Sequence, residues 1–238
     1  MATEPPKPVY YDPPDAPLAA QRSGIRAEAG RIVAAQLDST PGVWRLGSTA
    51  QRPVQLYIQE HFLGADDCRR LCELIDSDLY PSPLYDKEKY KDARTSQSCN
   101  LNSYDEFVAG IDSRITALLG IERSWGEPLQ GQRYDVGQEF KPHSDFFYID
   151  QPYWEEYETH GGQRTWTAMI YLNEPDEGGA TGFTYRNLNV MPRLGRILNW
   201  NNMAADGSPN PWTEHCGQPV GAGIKYVVTK WYRERTFV

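Results

Sequence analysis

The sequence predicts a mainly β protein with flanking helices. From Glu127 onward, short runs of strand-forming residues are broken by glycine, proline and asparagine, a pattern typical of an antiparallel sandwich or barrel. Before that point, apolar residues recur at helical spacing in several segments. A chain of 238 residues is long enough for one well-buried core. We therefore expect a single domain over 25–238, with supporting helices at about 25–120 and a β core at about 127–235.

The first 24 residues differ in composition from the rest of the chain. Six of the first 20 residues are proline, which favours extended polyproline conformation over packed structure. We predict a flexible tail over 1–24, with a docking segment as the alternative.

Two helices and a strand are predicted next. Residues 26–37 can form a first helix, and the alternation of apolar residues over 54–58 indicates a strand. Asp66 and Asp67 suit the first turn of a helix that ends near residue 78, because their charges face the positive end of the helix dipole.

A further helix is predicted over about 104–119. Ser103 and Glu106 fit a capping box at its start, and an apolar stripe of helical period follows them. Cys68 and Cys72, one helical turn apart in the preceding helix, are most simply core residues, and the four cysteines fit neither a zinc motif nor a disulfide framework.

Charge and hydropathy limit the partners. A net charge of −8 and a pI near 5.1 argue against nucleic-acid binding, which needs clustered lysine and arginine. The sequence shows neither a targeting signal nor an apolar run of membrane-spanning length. We expect a cytoplasmic protein without a membrane partner; the oligomeric state stays open.

A candidate metal site lies in the C-terminal half. His143 and Asp145 are separated by one residue in a β-prone stretch, so a strand would point both side chains to the same face. With His215 they make two imidazoles and one carboxylate, a set that binds one face of an octahedral iron(II) and leaves three positions open. A histidine followed by an acid also arises by chance, so the pair alone is weak evidence.

Other donors fit this site less well. His61 stands in no ligand context, and His160 lies in a loop beside two glycines. Glu214 and Cys216 flank His215, and strand alternation points them away from a shared ion.

Lys225 is the candidate anion-binding residue. It lies among apolar residues of a predicted strand, where full exposure is awkward, although a solvated surface lysine is the alternative. A partly buried lysine needs an anionic partner, and 2-oxoglutarate is the anion that accompanies irons of this type.

Several spaced blocks resemble the prolyl 4-hydroxylases of the collagen and plant type, within the Fe(II)/2-oxoglutarate-dependent dioxygenases. The resemblance covers roughly residues 54–235. The blocks are Gly161 to Asn173, Glu177 to Thr181, Asn201, Asp206-Gly207, His215, Gly217, Pro219-Val220, Gly223, Lys225 and Lys230-Trp231, with Arg94-Thr95-Ser96 similar to the substrate-loop signature. The chain departs from the family at Ala180, where the family usually has glutamate, and in a long loop over 148–160.

The resemblance implies a fold, cofactors and site residues. It implies a double-stranded β-helix, or jelly-roll, core with iron held by the three donors. The co-substrates would be 2-oxoglutarate, converted to succinate and CO2, and O2, with ascorbate as a further expectation. It assigns Lys225 to the distal carboxylate of 2-oxoglutarate, with Tyr134 and Thr167 as candidate hydrogen-bond partners of the same carboxylate.

A proline-containing peptide or protein is the expected substrate. Arg94 resembles the mobile loop that covers a peptide, and Tyr148 belongs to an aromatic, acidic segment that forms a second candidate lid. Arg164 and Trp200 are candidates for the same groove. Packing of these loop residues on the barrel is the alternative to substrate contact.

Other functions stay open. The same iron site serves enzymes that hydroxylate a free amino acid or another small molecule. A non-catalytic binding module would be expected to have lost a ligand or the lysine, and a metal-storing cupin would carry more histidine ligands and have no need of Lys225. The three candidate iron ligands and Lys225 are all present, so an oxygenase acting on peptidyl proline is the leading hypothesis.

Overall fold

The computed structural model describes residues 18, 21–47, 53–82 and 93–238. Most of the predicted N-terminal tail lies outside this part of the chain. The α-helices are α1 Gly24–Ser39, α2 Ala65–Ser77, α3 Glu106–Leu119 and α4 Trp154–Thr159. The strands are β1 Val43–Arg45, β2 Leu56–Gln59, β3 Tyr80–Pro81, β4 Gln97–Asn100, β5 Gln130–Tyr134, β6 Phe140–His143, β7 Arg164–Tyr171, β8 Glu177–Gly178, β9 Thr181–Phe183, β10 Leu188–Val190, β11 Ile197–Asn201, β12 His215–Gly217, β13 Val220–Ala222 and β14 Lys225–Arg233.

Helices α1 and α2 confirm the predictions to within two residues, with Asp66 and Asp67 in the first turn of α2. The predicted capping box of α3 is wrong. Asp105 is the N-cap, and its Oδ1 accepts hydrogen bonds from the backbone N–H groups of Phe107 at 2.8 Å and Val108 at 3.1 Å. Aspartate caps a helix as well as serine does, so the helix begins two residues later than predicted. None of the helices in the described ranges combines the length and apolar character needed to cross a membrane.

The strands form a mainly antiparallel β architecture, as predicted. A large sheet has the order β1-β2-β11-β7-β14-β5-β4-β3, and a smaller sheet has the order β10-β9-β12-β6. A two-stranded ribbon pairs β13 with β8. Each of these strand pairs is antiparallel. Several neighbours in a sheet, such as β14 and β5, are distant in sequence.

The large sheet has a hydrophobic cluster on each face. One cluster joins α1, α2 and α3 to residues such as Val228 of β14, and the other contains Val227 of β14 with Phe183 of the smaller sheet. Side chains alternate along a strand. In β14, Lys225 and Val227 therefore face the smaller sheet, whereas Val228 and Lys230 face the helices. The space between the two sheets is where the functional residues meet.

Candidate active site

His143 and His215 are cross-strand partners in the smaller sheet. They pair across β6 and β12, and their ring centroids lie 4.3 Å apart. Antiparallel pairing therefore brings together two residues that are far apart in sequence. The hydrogen bonds of the smaller sheet fix this register.

Asp145 completes the cluster from outside the strand. Strand β6 ends at His143, so the predicted strand geometry for Asp145 is wrong, and the residue lies in the bend that follows. Its Oδ1 lies 3.9 Å from His143 Nε2 and its Oδ2 lies 3.8 Å from His215 Nε2. The ligand atoms of the three residues all lie within 4.8 Å of one another, which is the spacing of a metal site.

Both imidazoles are oriented for metal binding. His143 Nδ1 lies 2.9 Å from the Lys141 carbonyl oxygen, and His215 Nδ1 lies 2.9 Å from the Thr213 carbonyl oxygen. A ring nitrogen beside a carbonyl must carry the proton, so Nε2 of each ring presents its lone pair to the cluster. Burial, reinforced by His215, lowers the pKa of His143 to about 3, which keeps that ring neutral as a ligand must be.

Asp145 is held by a buried chain of hydrogen bonds. The Thr167 hydroxyl lies 2.7 Å from Asp145 Oδ2, and Asn202 Nδ2 donates to the Thr167 oxygen at 2.9 Å. Because the amide supplies a proton to that oxygen, the hydroxyl proton of Thr167 is directed to Asp145. Burial disfavours the charged carboxylate, but the neighbouring histidines, Arg164 and the Thr167 hydroxyl hold the pKa of Asp145 below its usual value.

These hydrogen bonds give Thr167 a partner that the sequence did not predict. Its hydroxyl is bonded to Asp145, and the expected contact with the co-substrate carboxylate stays a prediction. Asn202 was not predicted at all, because nothing in the sequence marks an asparagine after a strand as a partner of a residue in another strand.

Lys225 lines the same cavity as the three donors. It is 2% exposed and stands opposite Tyr134 across β14 and β5. Its Nζ lies 5.0 Å from the ring centroid of Tyr134 and 5.7 Å from that of Tyr171, which the sequence did not single out. Among the described residues no carboxylate forms an ion pair with Lys225, and burial lowers its pKa to about 8. A buried ammonium without a counter-ion is a site for an anion.

One cavity connects Lys225 with the three donors. Its walls come from both sheets and include Trp200, whose ring centroid lies 4.7 Å from that of His215. A substrate contact for Trp200 stays a prediction. The lining residues are Gln132, Tyr134, Phe140, His143, Asp145, Met169, Thr181, Trp200, His215, Cys216, Gly217, Lys225, Val227, Thr229 and Trp231.

Arg94 lies beside the metal end of the site. Its guanidinium carbon is 4.9 Å from the ring centroid of Phe140, which stacks on the His143 ring at 3.6 Å. The side chain also donates to Ser98 and Gln130, each at 3.2 Å. Arg94 is therefore one aromatic ring away from a candidate ligand, and its contact with substrate stays a prediction.

Arg164 and Tyr148 do not line the cavity. Arg164 is 8% exposed and makes two hydrogen bonds of 2.6 Å to the carboxylate of Glu127. This pairing explains why a charged residue is buried in β7, and it gives Arg164 a structural role that the sequence did not predict. Tyr148 is 39% exposed, with its ring 5.2 Å from that of Phe146. A substrate contact for either residue stays a prediction.

The segment over 148–160 is more ordered than an insert-like loop. It contains α4, and Tyr157 of that helix stacks on Phe147 with a centroid distance of 4.4 Å and an interplanar angle of 4°. This packing holds the segment against the residues that follow Asp145. The short helix was missed because its six residues lack a full apolar stripe.

Comparisons with known proteins agree with this arrangement. A family model of the 2OG-Fe(II) oxygenase superfamily matches residues 129–233, which include the three donors and Lys225. The chain is 31% identical over 200 residues to the probable prolyl 4-hydroxylase 3 of Arabidopsis thaliana, covering 74% of this chain and 68% of that protein.

Two solved structures share the fold. The viral collagen prolyl hydroxylase of Paramecium bursaria Chlorella virus-1, in its 2-oxoglutarate complex, has a TM-score of 0.59 at 22% identity and covers 74% of this chain and 94% of that one. A prolyl-4-hydroxylase of Pseudomonas putida has a TM-score of 0.53 at 22% identity, covering 85% of this chain and 99% of that one. The family model and the plant relative confirm the resemblance that the motifs indicated, and the chain belongs to the prolyl 4-hydroxylase-like 2OG-Fe(II) oxygenases.

Proposed function

We propose that this oxygenase hydroxylates prolyl residues of a peptide or protein at the site formed by His143, Asp145 and His215. In this proposal the three residues bind Fe(II), and Lys225 binds the distal carboxylate of 2-oxoglutarate. The large and small sheets are the two walls of a double-stranded β-helix. The observation that carries the assignment is one cavity lined both by the donor cluster and by a buried lysine that no carboxylate of the described residues neutralises.

The donor set fits iron(II). Two imidazoles with their Nε2 atoms turned inward and one charged carboxylate would leave part of the coordination sphere free. When bound, the iron with 2-oxoglutarate and O2 supplies the oxidising power that converts a C–H bond to C–OH, releasing succinate and CO2.

The residues of the chain position and shield this chemistry. Thr167 occupies Oδ2 of Asp145 and leaves Oδ1 for the metal, which favours single-oxygen coordination. Lys225 would orient the co-substrate through its distal carboxylate, and the Tyr134 ring lies 5.0 Å from the lysine Nζ. Buried apolar walls, including Trp200 and Val227, keep water away from the reacting centre.

The peptide substrate is supported by the surroundings of the cavity. The guanidinium of Arg94 and the indole N–H of Trp231, which is buried and has no partner among the described residues, are hydrogen-bond donors. A proline-rich peptide offers carbonyl oxygens and few N–H groups, so donors are what such a peptide needs. The acids of α4, Glu155 and Glu156, would favour basic residues beside the target proline, an effect that weakens as salt rises.

The test is substrate screening with paired readouts. We expect purified protein loaded anaerobically with Fe(II) and 2-oxoglutarate to add one oxygen atom to proline-rich peptides when O2 is admitted, as measured by mass spectrometry. Arg94→Ala should impair peptide turnover far more than uncoupled succinate formation, and His143→Ala should abolish iron binding and both products. Efficient hydroxylation of free proline with no reaction on peptides would reject the peptidyl substrate and leave a small-molecule oxygenase.

A further inference from the structure

The segment between β11 and β12 carries the supports of two candidate iron ligands. At its start, the Asn202 amide donates to Thr167, whose hydroxyl is bonded to Asp145. At its end, the Thr213 carbonyl accepts the Nδ1–H of His215 at 2.9 Å. Two residues of one short stretch of chain therefore orient a carboxylate and an imidazole that come from different parts of the sequence.

Asn210 connects these two supports through its backbone. Its N–H donates to the Asn202 carbonyl at 2.9 Å. Its own carbonyl accepts hydrogen bonds from the Thr213 backbone N–H at 3.1 Å and from the Thr213 hydroxyl at 2.7 Å. A continuous series of hydrogen-bonded residues therefore runs between the two candidate ligands: His215, Thr213, Asn210, Asn202, Thr167 and Asp145.

The side chain of Asn210 holds the residue in place with both of its polar atoms. Its Oδ1 accepts the backbone N–H of Trp212 at 3.1 Å and so caps a short 3-10 helix over Pro211–Thr213. Its Nδ2 donates to the Pro53 carbonyl at 2.9 Å, which ties the segment to the chain just before β2. The side chain thus supplies a donor and an acceptor together, which aspartate and leucine of similar size do not.

The connecting residues are shielded from solvent. Asn202, Thr213 and Thr167 are 0% exposed, and Asn210 is 2% exposed. In a buried network, a polar group that loses its partner cannot turn to water, and the desolvation cost exceeds the net contribution of the bond. A displacement of Asn210 is therefore passed on to its neighbours in the series.

We infer that Asn210 is a positioning residue of the candidate iron site, and that it sets the placement of Asp145 relative to His215. This inference rests on the proposed function, which assigns iron to these ligands. Asp145 Oδ2 lies 3.8 Å from His215 Nε2, so an ion held by both residues would link the two ends of the series. Metal binding requires ligands held within about 0.5 Å of the productive geometry, which a loosened support does not provide.

The test measures Fe(II) affinity by anaerobic titration, together with the free energy of unfolding of the metal-free protein by chemical denaturation. Asn210→Ser keeps an oxygen that can cap the Trp212 N–H but loses the donor to Pro53. We expect this variant to bind Fe(II) at least 10-fold more weakly than the wild type. Asp105→Ala is the matched control, because it removes a side-chain cap from α3, which is not part of the series. It should also lower stability, but its Fe(II) affinity should stay within twofold of the wild type.

Hydrogen exchange of the wild type gives a readout that a purely structural role would not change. If Asn210 promotes metal binding, the metal must in turn stabilise the hydrogen bonds of Asn210. Fe(II) added without O2 should therefore slow exchange of the backbone N–H groups of Asn210 and Thr213 several-fold. His215→Ala should abolish this protection. The measurement needs no variant of Asn210, so it also decides the inference if Asn210→Ser does not fold.

The outcomes separate this inference from the proposed function. If His215→Ala loses Fe(II) binding while Asn210→Ser keeps wild-type affinity, or if Fe(II) leaves exchange at Asn210 and Thr213 unchanged, Asn210 does not position the ligands and the proposed iron site stands. An equal loss of affinity in Asn210→Ser and Asp105→Ala would also reject the inference, since the loss would then follow stability alone. Wild-type Fe(II) affinity in His215→Ala would reject the iron site itself.

Discussion

Strand β14 carries two buried lysines in opposite electrostatic situations. Lys225 and Lys230 are each 2% exposed. Lys230 faces the helices, where its Nζ lies 2.7 Å from Asp112 Oδ1. Lys225 faces the cavity, and no carboxylate of the described residues pairs with it. Burial lowers the pKa of both lysines, but only Lys230 has a hydrogen-bonded carboxylate that opposes the effect.

The difference in ion pairing distinguishes a lysine with a structural role from a lysine that binds a ligand. A paired buried lysine completes its interactions within the fold, and removing it leaves the carboxylate unpaired. An unpaired buried lysine costs stability until an anion arrives, so its presence is explained by binding. The sequence alone places both residues in similar apolar surroundings; only the strand alternation and the neighbouring helix α3 separate them.

The largest expected effect is an opposite change in stability. Lys225→Met should raise the free energy of unfolding of the ligand-free protein at pH 7 by on the order of 3 kcal/mol, because it removes an uncompensated buried charge. Lys230→Met should lower it by about 3 kcal/mol, the lower end for a broken buried pair, because Arg123 still contacts Asp112 at 2.9 Å. Chemical denaturation of the two variants measures both values.

The lowered pKa of Lys225 also predicts the pH range over which the stability difference between Lys225→Met and the wild type changes. Its pKa is 10.5 ordinarily and about 8 in the folded protein, so the full penalty is present below pH 8 and is lost as the pH rises toward 10.5. The advantage of Lys225→Met over the wild type should shrink across that window. Equal destabilisation by both substitutions would show that Lys225 has a partner of its own and would remove the contrast.

A smaller effect is expected on Fe(II) affinity, and it tests whether a second residue on the cavity face of the large sheet also supports ligand binding. Thr167→Val removes the hydroxyl that holds Asp145 and should weaken Fe(II) binding about 10- to 100-fold, as measured by anaerobic titration. Thr167→Ser should retain most of the affinity. Thr116→Val is the matched control on the helix side, because that hydroxyl contacts Tyr232 at 3.0 Å, and its loss should leave iron affinity unchanged. Wild-type iron affinity in Thr167→Val would separate the hydrogen-bond chain from metal binding.

A further expected effect is a pH dependence of co-substrate binding. Above pH 8 the ligand-free Lys225 becomes neutral, so the affinity for 2-oxoglutarate should fall about tenfold per pH unit between pH 8 and 10. Lys225→Arg stays charged throughout this range and should bind with weak pH dependence. A wild-type affinity that is constant from pH 7 to 10 would mean that the lysine charge does not contribute.

The sequence predicted the residues of this site better than their contacts. His143, Asp145, His215 and Lys225 could be found because spaced motifs identify residue types, and the apolar neighbours of Lys225 in a predicted strand indicated that it is at least partly buried. The partner of Thr167 could not be predicted, since its bond to Asp145 joins β7 to a bend after β6 and depends on how the sheets pack.

The predicted start of helix α3 was wrong because two nearby residues can each cap the helix. Ser103 and Asp105 are both good helix caps, and the choice between them depends on how α3 docks on the sheet. The ion pair of Arg164 with Glu127 could not be predicted, because the two residues are distant in sequence, and a substrate contact for Arg164 stays a prediction.

The central claim is that Lys225 binds the co-substrate anion. The most direct test is a 2-oxoglutarate titration of the Mn(II)-loaded protein, followed by isothermal calorimetry, for the wild type, Lys225→Met and a matched variant on the side of β14 that faces the helices. The Lys230→Met/Asp112→Asn double variant is that match, because it removes the structural pair together and avoids an unpaired carboxylate. We expect Lys225→Met to weaken 2-oxoglutarate binding at least 100-fold, about 3 kcal/mol or more, with Mn(II) affinity unchanged. The double variant should bind within twofold of the wild type. Wild-type affinity for 2-oxoglutarate in Lys225→Met would contradict the account, since the buried lysine would then have no anion to bind.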